Sequence, residues 1–195
     1  MKLARLALTL SPLSGLLLSC ATFPAELGED VMQVPADGRI EVSLTPGGGV
    51  AEVELHVRPE ALPQAIQDAM ATHLASMSEA EIEYIDGVRF YEASGKTRDG
   101  REMEVLLRAD GEVYELEIVR TESETPAAIV TAAKGWRGPG TVTSWEEIQD
   151  GARRTVSWHV KKTVDDFRFK LIFDPDGRME RVYRETPAEI EVVVE

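Results

Sequence analysis

Aliphatic and charged side chains alternate along most of this chain, and this period of two restricts the fold more than any other feature. Successive side chains of a strand point to opposite faces of a sheet, so the alternation predicts strands with one buried face and one solvated face. The apolar members of the clearest runs are Ile40, Val42 and Leu44; Val53, Leu55 and Val57; Met103, Val105 and Leu107; and Phe167, Phe169, Leu171 and Phe173.

Asp-Gly pairs separate many of these runs. Both residues tolerate positive φ, which suits tight hairpin turns, and such short links cannot support a parallel crossover. The strands are therefore predicted to pair with antiparallel neighbours. The pairs are Asp86-Gly87, Asp99-Gly100, Asp110-Gly111, Asp150-Gly151 and Asp176-Gly177.

Two stretches have helical rather than strand periodicity. Apolar residues recur at helical spacing between Pro59 and Met77, and a second helix is predicted to open at Thr125-Pro126 and to end at Gly135. Each predicted helix is followed by a similar series of strands and turns. We therefore predict an α+β fold with tandem units, each with one helix packed on an antiparallel sheet of about four strands, preceded by a β-hairpin.

The N-terminus has the three parts of a secretory signal. Lys2 and Arg5 precede an apolar run that is too short to span a bilayer, and small residues surround Cys20. The segment Leu17-Leu18-Ser19-Cys20 resembles a bacterial lipoprotein lipobox, which implies cleavage before Cys20, acylation of that residue and anchoring in a membrane. Because alanine follows the cysteine, the resemblance implies the outer membrane, facing the periplasm. Ordinary secretion, with Cys20 discarded, is the alternative.

These features give four predicted segments. They are a lipoprotein signal peptide at 1–19, a tether at 20–38, the hairpin with the first unit at 39–121, and the second unit at 122–195.

Charge and composition exclude several functions. The net charge of −14 argues against nucleic acid, which needs a basic surface. A single cysteine excludes a disulfide framework, and the three histidines have no spacing that brings them together, so we expect no metal site and no cofactor.

The segment Asp174-Pro175-Asp176-Gly177 resembles the start of a calcium loop but lacks the later ligands, and a β-turn explains it. No catalytic motif is present, so we expect no enzyme. Paired carboxylates remain the enzymatic alternative.

Several segments resemble PepSY-like domains, the class that includes β-lactamase-inhibitor-like bacterial periplasmic proteins. The resemblance lies in a helix followed by strand, Asp-Gly turn and strand, and it covers roughly residues 59–184. It implies secreted or envelope modules that bind proteins or peptides and in some cases restrain hydrolases. It also implies that two sheets join into one concave surface, and it transfers no catalytic residue. The segments that carry it are Phe90-Tyr91-Glu92-Ala93, Glu104 to Tyr114 and Phe169 to Met179.

The predicted function is non-catalytic binding of an envelope protein or peptide; a small-ligand carrier with a pocket between helix and sheet is the alternative. The strand faces turned away from the helices are acidic in the first half and basic in the second. They could bind a partner or be merely solvated. Trp136 and Trp145 flank a rigid turn and are either a contact site or a cover for the end of the second helix. The candidate residues on the strand faces are Leu106, Glu115, Arg168, Lys170 and Ile172, with Glu104, Glu117 and Arg184 beside them.

Overall fold

The computed structural model describes residues 26–188. The predicted signal peptide, Cys20 and the last seven residues lie outside this range. The three helices are α1 (Glu26–Val31), α2 (Gln64–Met70) and α3 (Ala127–Gly135). The strands are β1 (Ile40–Leu44), β2 (Val50–Val57), β3 (Ser76–Ile85), β4 (Val88–Lys96), β5 (Glu102–Arg108), β6 (Val113–Arg120), β7 (Thr141–Asp150), β8 (Thr155–Val164), β9 (Phe167–Phe173) and β10 (Met179–Glu185).

All ten strands form one antiparallel sheet in sequence order. The prediction of tandem helix-on-sheet units, each with its own sheet of about four strands, is wrong. Strand β6 pairs with β7 across the expected boundary, with Glu117 opposite Ile148. Alternation shows which residues form strands, but it carries no information about whether the last strand of one half pairs with the first strand of the next.

The sheet is strongly curled. The Lys170 ammonium on β9 acts electrostatically on the carboxyls of Glu52 and Glu54 on β2. These strands are seven strand spacings apart in the sheet, which is about 34 Å in a flat sheet and several times the screening length in physiological salt. Only a curled sheet brings the two strands within electrostatic reach, so the face that carries these side chains is concave.

Two apolar clusters pack on the other face, which we call the helix face. The first cluster joins β2–β6 to α2 and its flanking turns, which bury Ile66 and Met70 of the helix with Leu62 before it and Leu74 after it. The second joins β7–β9 to α3 through Trp145, Trp158, Phe169, Leu171 and Phe173. The predicted burial of the Met103 and Phe169 rows is borne out by exposures of 6% and 5%.

Helix α2 is shorter than the sequence pattern predicts. It ends at Met70, and Met77 lies in β3 rather than on the helical stripe. Residues 71–74 continue as a turn, which still buries Leu74. The apolar spacing therefore gives the buried side chains correctly but overestimates the length of the helix.

Helix α1 lies within the predicted tether and is attached to the first cluster. Asp30 is 3% exposed, and its carboxylate accepts hydrogen bonds from Tyr84 Oη at 2.6 Å, Arg89 Nη2 at 2.7 Å and Gln33 Nε2 at 2.9 Å. Because a buried carboxylate is tolerated only with such partners, Asp30 fixes α1 against β3 and β4.

A buried lysine closes the C-terminal end of α3. Lys162 is 1% exposed, and its ammonium donates to the carbonyl oxygens of Ala133, Lys134, Trp136 and Gly138 at 2.8–3.0 Å. The last carbonyls of a helix lack intrahelical partners and carry partial negative charge, so a cation fits there.

No helix within residues 26–188 has the length and apolar character needed to cross a membrane.

Candidate binding face

The concave side of the sheet carries a concentration of carboxylates that we call the glutamate face. Its side chains alternate with those of the two apolar clusters, so strand geometry alone turns them away from the helices. Two lysines and two histidines accompany the acids. The glutamate face consists of Glu52, Glu54, Glu81, Glu83, Glu92, Glu104, Glu115, Glu117 and Glu146, with His56, His159, Lys161 and Lys170.

Several of these glutamates lie directly opposite one another on neighbouring strands. Glu54 faces Glu83, and the pairs Glu81 with Glu92 and Glu104 with Glu117 repeat the arrangement further along the sheet. Like charges directly opposite destabilise a sheet, so each pair has a cost to the fold.

Crowding and burial raise the pKa of several of these carboxyls. Burial, followed by the hydrogen bond and the charge of Glu52, raises the pKa of Glu83 to about 10. Burial and the charge of Glu52 raise the pKa of Glu54 to about 7. The charge of Glu117, followed by burial, raises the pKa of Glu104 to about 9. Part of the face is therefore neutral at pH 7 only because the carboxyls keep their protons.

Lys161 and His56 contact carboxylates at the two ends of the face. Lys161 Nζ lies 3.0 Å from Glu146 Oε1 and 3.8 Å from Glu117 Oε1. Burial opposes the charge on Lys161, but Glu117 and Glu146 outweigh it and raise the pKa of the lysine. At the other end of the face, His56 lies between Glu41 and Glu81, with Nε2 3.2 Å and Nδ1 3.0 Å from their carboxylates.

The structure places five of the predicted binding residues on this one face. Leu106 and Glu115 are direct cross-strand partners, and Arg168, Lys170 and Ile172 alternate with the buried Phe169, Leu171 and Phe173 of β9. Leu106 is only 4% exposed. Arg168 is exposed and pairs with Glu185 at 3.1 Å.

The predicted tryptophan pair lies on the helix face. Trp145 is 7% exposed in the second cluster, and Trp136 packs edge-on against Phe169 with ring centroids 4.9 Å apart. The structure therefore separates the tryptophans from the other candidates. Trp136 also contributes one of the carbonyls that Lys162 binds.

Several residues of the face were not found by sequence reasoning. Glu83, Glu92, Glu146 and His159 are single members of strands, and their meeting depends on register and on the continuation from β6 to β7. Alternation assigns Glu83 and Glu92 to the polar side of their strands. Nothing in the sequence places one opposite another carboxylate.

A second feature is an open groove of about 330 Å³ beside the end of α2, which we call the arginine groove. It lies between the turn that follows α2 and strands β5 and β6. Arg120 is paired with Glu147 at 2.5 Å and Arg101 with Glu124 at 2.9 Å. Arg153 Nη2 lies 3.3 Å from His73 Nδ1. The lining residues include Thr72, His73, Thr97, Arg98, Arg101, Arg120 and Arg153.

The carboxyl pairs also bear on the enzymatic alternative. The pKa of Glu104 is raised and that of its neighbour Glu117 is lowered, because His159 and Lys161 stabilise the charge on Glu117. Carboxyls with diverging pKa values occur in acid–base enzymes, but also in structural networks. The absence of catalysis therefore stays a prediction.

No protein-family model and no curated protein sequence matches the chain. Among solved structures, the chain is similar to a BLIP-like protein from Bacteroides fragilis, with 23% identity over 68% of this chain and 94% of that chain and a TM-score of 0.47. A DUF2874 family protein from Bacteroides uniformis has 17% identity over 63% and 89% of the two chains, with a TM-score of 0.48. A protein from Bacteroides eggerthii, whose name assigns it provisionally to the periplasm, has 18% identity over 63% and 88%, with a TM-score of 0.49. Values this low do not establish a shared function.

Proposed function

We propose that this chain is a non-catalytic module that binds a protein or peptide through the glutamate face. The observation that carries the proposal is the placement of glutamates opposite one another on a concave face, with fewer cations than carboxylates. Such an arrangement destabilises the free protein, and a cationic partner would compensate for it.

The chemistry of the face favours a partner segment that bears lysine or arginine. Glu81 and Glu117 have side chains that are 14% exposed, so their carboxylates are accessible only from the concave side. Extended basic side chains can reach such groups, whereas a flat protein surface cannot. Ile172, which is half-buried on the same side of the sheet, supplies an apolar contact. Binding would be steered by charge and would weaken as salt increases.

Binding of a fluorescent oligolysine peptide, followed by anisotropy at several salt concentrations, tests this proposal. The test variant carries Glu52→Gln, Glu81→Gln and Glu115→Gln. The matched control carries Glu60→Gln, Asp68→Asn and Glu112→Gln at exposed positions away from the face. Both variants have the same net charge, so general attraction to polylysine is equal. We expect about tenfold weaker binding for the test variant only, which is 1.4 kcal/mol. Equal losses in the two variants would contradict the proposal.

We further propose that the signal and Cys20 place this module in the bacterial envelope as a lipoprotein, anchored in the outer membrane and facing the periplasm. The support is the apolar run of the first twenty residues and the position of the single cysteine. Acylation of both the thiol and the new amino group would give stable anchoring where one chain would not. Incorporation of labelled palmitate into the wild type but not into Cys20→Ala is expected. Equal labelling would exclude the anchor.

The arginine groove supports a second candidate function, the binding of a small anion. Its volume is close to the lower bound of typical ligand sites, and four of its lining residues are arginines with one acid, Asp99, among them. It lies beside the turn after α2 rather than between the helix and the sheet, where the small-ligand alternative places a pocket. Titration calorimetry with citrate, comparing the wild type with Arg153→Gln, tests this candidate. Saturable binding that the substitution weakens would favour the carrier function, and the absence of heat at millimolar citrate would remove it.

A further inference from the structure

Three potential metal ligands from three neighbouring strands converge on the glutamate face. They are Glu117 of β6, Glu146 of β7 and His159 of β8, and their ligand atoms lie within 4.8 Å of one another. Glu146 and His159 are direct cross-strand partners, and Glu117 lies diagonally opposite Glu146. The pairing of β6 with β7 brings Glu117 to the other two residues.

Two buried atoms in this cluster have no hydrogen-bond partner among the described residues. They are Glu146 Oε2 and His159 Nδ1, whose 3.4 Å contact with Glu117 Oε2 lacks hydrogen-bond geometry. Glu146 is only 2% exposed, so water does not readily replace the missing partner. Most buried polar atoms in proteins are paired, and two unpaired atoms in one cluster therefore need an explanation. A bound cation would satisfy both.

We propose that Glu117, Glu146 and His159 bind a divalent transition-metal ion, with Zn²⁺ as the best fit. Glu117 Oε2 and His159 Nδ1 are 3.4 Å apart. Two ligands of a tetrahedral zinc site with bonds of 2.0–2.1 Å are separated by about 3.3 Å. One imidazole nitrogen with two carboxylates selects Zn²⁺ and similar ions over Ca²⁺ and Mg²⁺, which prefer oxygen ligands.

The neighbouring Lys161 leaves this set of ligand atoms free. Its ammonium contacts Oε1 of both Glu117 and Glu146, whereas the metal would take Oε2 of each. The lysine nevertheless adds a positive charge close to the site. Its removal should therefore strengthen metal binding, which gives the proposal a variant with an expected gain.

Other acidic clusters on this face fit a transition metal less well. Both ring nitrogens of His56 are already engaged, Nε2 by Glu41 and Nδ1 by Glu81. The cluster of Glu52, Glu54 and Glu83 offers only oxygen and would favour Ca²⁺. The two clusters that contain His56 and the oxygen-only cluster are the internal competitors that an experiment must distinguish.

Calorimetric titration of the tag-free full chain with Zn²⁺ tests the proposal. The variants are His159→Gln, with His56→Gln as the matched control, and Lys161→Met; circular dichroism checks folding. We expect one Zn²⁺ per chain, weakened by His159→Gln at least about tenfold, since even outer-shell changes have effects of that size. His56→Gln should leave it unchanged, and Lys161→Met should strengthen it.

Three outcomes would overturn the proposal. The first is no Zn²⁺ binding below millimolar concentration. The second is binding that His56→Gln removes and His159→Gln leaves intact. The third is equal competition by Ca²⁺, which would indicate the oxygen-only cluster. X-ray absorption of the Co²⁺-loaded wild type needs no variant and distinguishes the proposed site, with one imidazole ligand, from the oxygen-only cluster; the histidine variants distinguish it from the clusters of His56. The inference is independent of partner binding, since the oligolysine assay and this titration can fail separately.

Discussion

On the helix face, the buried charges of Asp30 and Lys162 are surrounded by hydrogen-bond partners, whereas on the glutamate face Glu83 and Glu146 each keep one buried oxygen without a partner among residues 26–188. All four residues are at most 6% exposed. Burial is therefore similar, and the difference lies in whether each polar group has all its hydrogen-bond partners. Satisfied buried charges stabilise local structure, and unsatisfied ones leave room for a proton, a metal or a partner.

The largest effect is expected for Lys162→Met. The substitution keeps the length of the side chain but leaves the four carbonyls at the end of α3 without their donor. We expect the free energy of unfolding to fall by about 3 kcal/mol, measured by urea denaturation. The control Lys134→Met removes an exposed ion pair with Glu122 and should change the free energy by less than about 0.5 kcal/mol. Equal effects would mean that Lys162 is not a stabilising cap.

A smaller loss is expected for Asp30→Ala. Its removal leaves the Tyr84 hydroxyl and the Arg89 guanidinium without their shared acceptor, and α1 loses its attachment to the first cluster. We expect a fall of about 2 kcal/mol in the free energy of unfolding. Hydrogen exchange should increase in residues 26–34 more than elsewhere. Glu29→Ala, at an exposed position on the same helix, serves as the control. Unchanged exchange would show that Asp30 does not hold the helix.

The sequence predicted the apolar residues of the helix face, but it did not predict the buried charges of Asp30 and Lys162. Alternation and helical spacing predicted the buried rows around Met103 and Phe169 and the stripe of α2. Alternation puts Lys162 on the same side as the buried Trp158 and Val160, but it could not predict that a lysine would be buried there, since only the carbonyls at the end of α3 explain it. Asp30 lay in a segment whose composition suggested a tether.

Alternation predicted which side of its strand each residue of the glutamate face lies on. It did not predict which residues of neighbouring strands lie opposite one another. Leu106, Glu115, Lys170 and Ile172 were placed correctly on the polar side because their strands alternate without interruption between the relevant residues. Arg184 was not, because a shift in register near the start of β10 places it opposite Phe169. One irregular residue reverses the side on which all later residues of a strand point. Alternation did not predict the continuous sheet for a related reason, since pairing between β6 and β7 leaves no local pattern; only the family resemblance implied a joined surface.

Glu83→Gln should stabilise the protein at pH 8. The folded-state pKa of Glu83 is raised from 4.5 to about 10, so its stabilising contribution is complete below pH 4.5 and is lost as pH rises towards 10. The wild type should therefore lose stability between pH 5 and pH 8. The amide stays neutral, so we expect a gain of about 1 kcal/mol at pH 8 and a flatter pH profile. Glu79→Gln, exposed on the same strand, should leave the profile unchanged. A destabilised Glu83→Gln would show that the carboxyl is ionised and paired.

The smallest change in the free energy of unfolding is expected for Glu54→Gln. This variant is useful because its effect should be coupled to that of Glu83→Gln. The pKa of Glu54 is raised to about 7, so its contribution is complete below pH 4.5 and has largely gone by pH 8. We expect a gain of about 0.5 kcal/mol at pH 8, because the charge that faces Glu83 is removed. The charge on Glu54 is one of the causes that raise the pKa of Glu83, so the gains of the two substitutions should not add. Urea denaturation of the wild type, both single variants and the double variant measures this coupling. Strict additivity would mean that the two carboxyls act independently.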